Sequence, residues 1–510
     1  MKATIRYDKD FVIGRVEERM AGSFVEHLNR CVYDGIYELG HPKSDALGFR
    51  EDVKELIRRT GIRALRYPGG NFASAYHWKD GIGPREARPR RFDPAWRRIE
   101  TNQVGIDEFA RYAKEVHAEM LLTVNLGTGT PQEAAELVEY CNLPGGTEYS
   151  DLRRKNGAEA PHDVRLWYLG NEMDGPWQMG QMSAHEYAVK CRETAKMMKA
   201  VSPEIELVAC GSCSNEIGHR TYGIWDRIVL EEVYEQVDYL SLHRYYGYDI
   251  RQEFIYPRPE TRQDGPWMPV DLEEMITTIL GVIDSTKGLL HSRHQVHLCF
   301  DELSMLPRHI THDSGAVYDA FTQYAAVIYG ALLCVLLNHA DRIKVHCQSL
   351  IVNENGLFST LPMGGVMEQC IAYPYRHLAE CVGGTVLRPC ADYPRIRTEH
   401  YGDVPCAASA CVYMQERGEV RVLVSNLSLD EPLELELQLT GFERAHLLEH
   451  VELYHEDPEA MNTHVTPDAV RPVSRSQSLS QPIRLRPHSW NLLRITVKGE
   501  MENETGRTCQ

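Results

Sequence analysis

Eight short apolar runs recur along the first two thirds of the chain, and most of them end on polar side chains. They are SFVEHLN (23–29), ALRYPGGN (64–71), MLLTVNLG (120–127), RLWYLGNE (165–172), IELVACGS (205–212), DYLSLHRYY (238–246), VHLCFDE (296–302) and RIKVHCQ (342–348). Between them lie longer segments such as VGIDEFARYAKEVHAEM (104–120) and SAHEYAVKCRETAKMMKAV (183–201), whose apolar residues recur at three- and four-residue spacing. That spacing is the amphipathic-helix pattern. Ser183 with Glu186 three residues on has the capping-box spacing for a helix start. Eight buried strands alternating with helices predict an α/β fold, a (β/α)8 TIM barrel. A doubly wound open sheet is the rival, weakened because no G-x-G-x-x-G follows an early strand.

The texture changes after about residue 371. Stretches such as ASACVYMQ, GEVRVLVSNLS, LELELQLTG and NLLRITVKG read as strands of alternating polarity separated by turn-rich pieces. The expected organisation is a catalytic barrel over 19–371, a C-terminal β-sandwich domain over 372–499 joined by the first strand-like stretch (1–18), and a disordered tail over 500–510.

Composition narrows the partners. The formal charge is 55 − 73 = −18, which argues against nucleic acid or an anionic membrane surface. Arg88–Pro89–Arg90–Arg91 is the one basic cluster and reads as a solvated loop. The start, MKATIRYDKD, lacks a secretory signal, and the most apolar run, IYGALLCVLL (328–337), is too short to span a bilayer and reads as a buried helix. A cytoplasmic protein is expected. The 14 cysteines then read as free thiols. Cys210 and Cys213 form a C-x-x-C without a second pair, which points to packing rather than a metal or redox centre.

In a (β/α)8 barrel the working residues sit at the C-terminal ends of the strands. Those ends give Glu26 with His27, Arg66 with Asn71, Asn125, Asn171 with Glu172, Ser212, His243 with Tyr245, Asp301 with Glu302, and Gln348. Glu172 after the fourth strand and Glu302 after the seventh would face each other across the mouth. Paired carboxylates flanking a sugar are the machinery of glycoside hydrolysis: one gives a proton to the leaving oxygen and the other attacks the anomeric carbon. Arg66 and Tyr245, with His243, are placed to support an ionised Glu302. Trp167, Trp177 and Met173 would surround Glu172. A carboxylate gap of about 5 Å means retention and a wider one inversion. Trp78 and Trp177 are candidate walls for a sugar ring, whereas Trp96 reads as loop packing.

These residues resemble a known family. GNEMDGPWQMG (170–180) is similar to the acid/base motif of the α-L-arabinofuranosidases of glycoside hydrolase family 51. GSFVEHLNRCVYDGIYE (22–38), LRYPGGNFASAYHWKDGIGP (65–84), ETNQVGIDEF (100–109), DYLSLHRYYG (238–247) and CFDE (299–302) carry the resemblance across the barrel. The resemblance implies a retaining, exo-acting enzyme without a cofactor or metal that removes terminal α-L-arabinofuranosyl groups from arabinan or arabinoxylan oligosaccharides. It implies Glu172 as acid/base, Glu302 as nucleophile, Asn171 on the sugar 2-hydroxyl, Glu26 and Asn71 on other hydroxyls, and Tyr245 orienting Glu302. It further implies a homo-oligomer, a hexamer in many members. The chain departs from the family pattern in four places. Leu303 replaces a tryptophan after the nucleophile, and the following loop (304–319) is short. Leu350 aligns with a family glutamine, for which Gln348, on the same strand face, is the expected substitute. Asn29 and Asp34 stand where glycine is usual, and Asn29 is expected to project toward the site. These changes leave room for another furanosidase, such as a β-D-galactofuranosidase, for a β-glycan hydrolase, or for a carbohydrate-binding protein without catalysis.

Overall fold

The computed structural model describes residues 1–214, 221–247, 262–399 and 401–497; the expected tail at 500–510 lies outside them. The first strand is β1 (Lys2–Arg15), followed by β2 (Gly22–Phe24) and β3 (Ala64–Tyr67). A small hairpin, β4 (Arg91–Asp93) and β5 (Arg98–Glu100), interrupts the alternation. Next come β6 (Glu119–Val124), β7 (Leu166–Leu169), β8 (Glu206–Cys210), β9 (Tyr239–Tyr246) and β10 (His297–Met305). A second hairpin, β11 (Arg308–Thr311) and β12 (Val317–Ala320), precedes β13 (Ile343–Gln348).

Eight of these close a barrel in the order β10-β13-β2-β3-β6-β7-β8-β9, every neighbouring pair parallel. Parallel strands are covered on both faces and need apolar residues at successive positions. All four residues of β3 and of β7 are accordingly buried. The helices between them begin where the sequence marks it. Ser183 caps Ala184–Val201, its Oγ accepting from Glu186 N while the Glu186 carboxylate accepts from Ser183 N at 2.9 Å.

The C-terminal region builds a nine-stranded sheet. β1 lies inside it, antiparallel to Thr385–Asp392 and parallel to Leu433–Thr440. Ile5, Val422, Leu435, Leu485 and Leu493, from strands in both halves of the order, share one buried cluster, so the sheet folds over on itself. Helix Gln323–Leu337 is buried at all of its residues. It packs between barrel and sheet, its Gly330 so close to Trp490 that a Cβ would lie 2.3 Å from the indole. A helix apolar on all sides is stable only in such a slot. Each fully buried Leu there contributes about 1.5–3 kcal/mol relative to exposure.

The basic cluster is solvated at Arg90 and Arg91, as expected, but not at Arg88. Arg88 is buried, not solvated: its guanidinium lies 2.8 Å from Glu108 Oε1 and also donates to the Gly83 carbonyl. The described cysteines are free, Cys210 and Cys213 among the buried ones. No helix among the described residues is long and apolar enough to cross a membrane.

Candidate active site

The C-terminal rim of the barrel collects the polar strand ends into one hydrogen-bonded cluster. Arg66, fully buried on β3, is its hub. One Nη donates to Glu302 Oε1 at 2.8 Å, the other to Asn171 Oδ1 at 2.6 Å, and Nε lies 3.3 Å from Asp301 Oδ2. Tyr245 OH donates to the other oxygen of Glu302 at 2.6 Å. Both Glu302 oxygens are thus fixed by donors.

Glu172 sits just past β7 in a left-handed conformation, φ 44°. That conformation costs an ordinary side chain about 1–2 kcal/mol. Trp177 Nε1 donates to Glu172 Oε2 at 2.6 Å, and His243 Nδ1 donates to Oε1 at 2.8 Å. Gly175 permits the Trp177 contact, since a Cβ there would meet the indole at 2.6 Å. Trp167, expected beside the Glu172 carboxylate, is buried with its N–H on the Val164 carbonyl.

His243 links the two acids. Its Nδ1 lies 3.6 Å from Glu302 Oε2, and its Nε2 lies 3.4 Å from Asp301 Oδ2. Glu172, His243 and Glu302 each present a ligand atom within 4.8 Å of the others. Burial opposes a charge on the imidazole, but the carboxylates of Glu302, Asp301 and Glu172 overcome it, and the His243 pKa is raised well above its ordinary value. The same carboxylates could hold a metal ion only by giving up these hydrogen bonds, and the buried Arg66 guanidinium beside them disfavours a second cation. Asp301 is buried; burial alone would raise its pKa, but the charges of Arg66 and His243 hold it below the ordinary range. Because the His243 value is raised on folding, its stabilisation is complete below about pH 6.5 and is lost as the pH climbs through the folded value. The stability gap between wild type and His243→Gln, read by urea unfolding, should therefore shrink from pH 6 toward pH 10.

Glu26 and Asn71 complete the floor. A Cβ placed on Gly70 would lie 2.9 Å from Glu302 Oε1, 3.4 Å from Asn171 Nδ2 and 3.5 Å from Glu26 Oε2, so three polar side chains converge on one bare backbone position. Asn171 Nδ2 donates to Asn71 Oδ1 at 3.2 Å. Glu26 Oε1 accepts from Phe72 N at 2.9 Å and Trp96 Nε1 at 3.1 Å. Burial pushes the Glu26 carboxyl up to about 8.

Two expected ligands are not brought into the cluster. Trp78 is buried against Tyr140 and Tyr149 with its N–H on the Glu133 carbonyl. The Gln348 amide donates to Ser304 Oγ, Ser349 O and Asn355 O, tying down the segment after β13. Ser349 instead meets Tyr245 OH at 2.5 Å. Trp96, read as packing, is the residue missed: it belongs to a loop hairpin, where no strand-end signal could place it.

Residues 56–253 match the alpha-L-arabinofuranosidase 1 domain and residues 301–489 the alpha-L-arabinofuranosidase C-terminal domain. The chain is 40% identical over 511 residues to the intracellular exo-alpha-(1->5)-L-arabinofuranosidase of Acetivibrio thermocellus, covering 97% of this chain and 99% of that one. A solved family 51 alpha-L-arabinofuranosidase from Bifidobacterium longum superposes with a TM-score of 0.89 at 34% identity, covering 97% of this chain and 99% of that one. This chain belongs to the family 51 α-L-arabinofuranosidases. It is a glycoside hydrolase. It is also similar to the exo-alpha-(1->6)-L-arabinofuranosidase of Bifidobacterium longum, 39% identical over 89% of each chain.

Within family 51, two departures of this sequence have a backbone explanation. Asn29 and Asp34, where glycine is usual, have φ of 40° and 60°. Asn and Asp are the non-glycine residues that tolerate this region best. The Asn29 side chain faces Glu354 on the segment after β13; burial raises the Glu354 pKa, and Asn29 opposes it by favouring the charged form. Leu303 is fully buried on β10, beside Gln348 of β13 and Arg244 of β9.

Proposed function

We propose that the chain is a retaining, exo-acting α-L-arabinofuranosidase that releases terminal α-L-arabinofuranosyl groups from arabinan or arabinoxylan oligosaccharides. The observation that carries this is the approach of a Glu172 oxygen to within 4.8 Å of a Glu302 oxygen. Retaining enzymes hold their carboxyl groups about 5–5.5 Å apart, whereas inverting enzymes need about 6.5–9.5 Å to admit a water. Glu302, held by Arg66 and Tyr245, attacks the anomeric carbon while Glu172 gives its proton to the leaving oxygen. A water activated by Glu172 then opens the glycosyl ester, and the configuration is retained. Asn171 bonds the sugar 2-hydroxyl, Glu26 and Asn71 the other hydroxyls, and Trp177 walls the pocket beside the acid. The names of the relatives, with (1->5) and (1->6) linkages, support an arabinofuranosyl substrate. The word "intracellular" in several of them supports a place inside the cell. A hexamer, expected from the family, belongs to the same proposal.

Hydrolysis of an α-(1→5)-linked arabino-oligosaccharide tests the reading: arabinose should be the first and only small product. Longer fragments released early would contradict an exo action. A further expectation concerns Glu26. As a neutral acid it donates to a sugar hydroxyl, and above about pH 8 it ionises. The KM for an aryl α-L-arabinofuranoside should then climb, approaching about tenfold per pH unit. Glu26→Gln, which keeps a donor and cannot ionise, should show a flat KM between pH 7 and 9.5.

A further inference from the structure

The side chains behind Glu26 are organised by a residue the hydrolytic scheme does not use. His27 is 4% exposed. Its ring stacks on Phe72 at 4.6 Å and meets Tyr33 and Tyr67 edge-on at 5.8 and 5.6 Å. Its Nε2 pairs with Tyr67 OH at 3.0 Å, and its Nδ1 lies 2.9 Å from Glu100 Oε2. Glu100, the last residue of β5, also accepts from Tyr33 OH and Asn102 N, both at 2.5 Å. Burial works against its charge, but His27 and these donors prevail and hold it at about 2.

The hairpin that ends in Glu100 carries Trp96. Asp93 shapes its turn by accepting from Ala95 N and Trp96 N at 3.0 and 3.1 Å, and Trp96 reaches Glu26. The outer face is bare, with Phe92 62% and Ile99 50% exposed. Two short strands are marginal on their own, so the base of the hairpin needs an anchor. Both donors to Glu26 lead back to His27: Phe72 lies on its ring, and Trp96 is joined to it through Glu100.

We propose that His27 and Glu100 are positioning residues for the sugar pocket, their buried contact latching the hairpin of residues 91–100 so that Trp96 holds Glu26 in place. This rests on the reading of Glu26 as a ligand for a sugar hydroxyl. Replacing Glu100 by glutamine keeps the shape and removes the charge that binds His27. The hairpin, still tied at Arg91 to Asp80, then loosens at its base, Trp96 slackens its hold on Glu26, and sugar binding weakens while the carboxylate pair is untouched.

Fluorine NMR of the full chain labelled with 5-fluorotryptophan reads the latch without any turnover, the Trp96 signal being the one lost in Trp96→Phe. In folded Glu100→Gln or His27→Gln that signal should move toward the position of free indole. Tyr33→Phe, which removes one donor to Glu100, should move it part of the way and serves if the stronger variants do not fold. KM for an aryl arabinofuranoside should rise about tenfold in Glu100→Gln with kcat within about twofold. In the Trp96→Phe background, Glu100→Gln should add nothing further, because the latch acts only through Trp96. A Trp96 signal that stays in place, or KM effects that multiply in the double variant, would overturn the proposal. Failure of the wild type on arabinofuranosides would instead refute the functional reading, and the fluorine signal would still decide the latch.

Discussion

Glu302→Ala should lower kcat by on the order of 10⁴-fold or more, on an aryl α-L-arabinofuranoside and on an α-(1→5)-linked oligosaccharide alike. A factor of 10⁴ corresponds to about 5.4 kcal/mol of lost transition-state stabilisation. The loss should not depend on the leaving group, because the variant has no oxygen to form the glycosyl ester. Arg66 and Tyr245, which grip the two Glu302 oxygens at 2.8 and 2.6 Å, would remain around the vacated space. A small anion such as azide should fit there, attack an activated substrate in place of the carboxylate, and give an azide of inverted configuration. Product configuration read by NMR distinguishes this from a merely damaged protein, which azide would not rescue. Near wild-type turnover in folded Glu302→Ala would show that the nucleophile lies elsewhere.

Glu172→Ala should behave differently on different substrates. An oligosaccharide leaving group needs a proton, and loss of the general acid should cost about 10²–10⁴-fold in kcat/KM. A good aryl leaving group departs without one, so its kcat/KM should fall by less than about tenfold. Opening the ester still needs a base, so the intermediate should accumulate and KM should drop. Azide should speed that second step and give a product of retained configuration. Equal losses on both substrates would remove the acid/base assignment.

The barrel was legible because its strands are buried on both faces. LWYL and ALRY leave no polar residue on a solvent side, so they stand out as continuous apolar or arginine-anchored runs, and their ends are the rim. Glu172, Glu302, Arg66, Asn171, Asn71, His243 and Tyr245 all occupy those ends and are brought together. What strand position does not encode is where a loop folds back. Trp78 and Trp96 look alike in sequence, each an indole in the segment after the second barrel strand. Trp78 turns toward helix Pro131–Asn142, whereas Trp96 is carried by a hairpin to Glu26. Gln348 was expected in the pocket by face alternation, yet its amide is consumed by the carbonyls of the following segment. Asn29 and Asp34 looked like changes at the site, and their positive φ shows a backbone reason that no single sequence displays. The approach of the two acids depends on the whole barrel closing.

If Glu172 and Glu302 act as a retaining pair on an arabinofuranosyl group, the anomeric form of the first product must show it. Proton NMR should follow hydrolysis of an aryl α-L-arabinofuranoside by the wild-type chain, with sampling faster than mutarotation. α-L-Arabinofuranose should appear first, and the β form should grow in only as the sugar equilibrates. The β form appearing first would mean a direct attack by water, and an approach of the two carboxylates to within 4.8 Å would not describe the working enzyme.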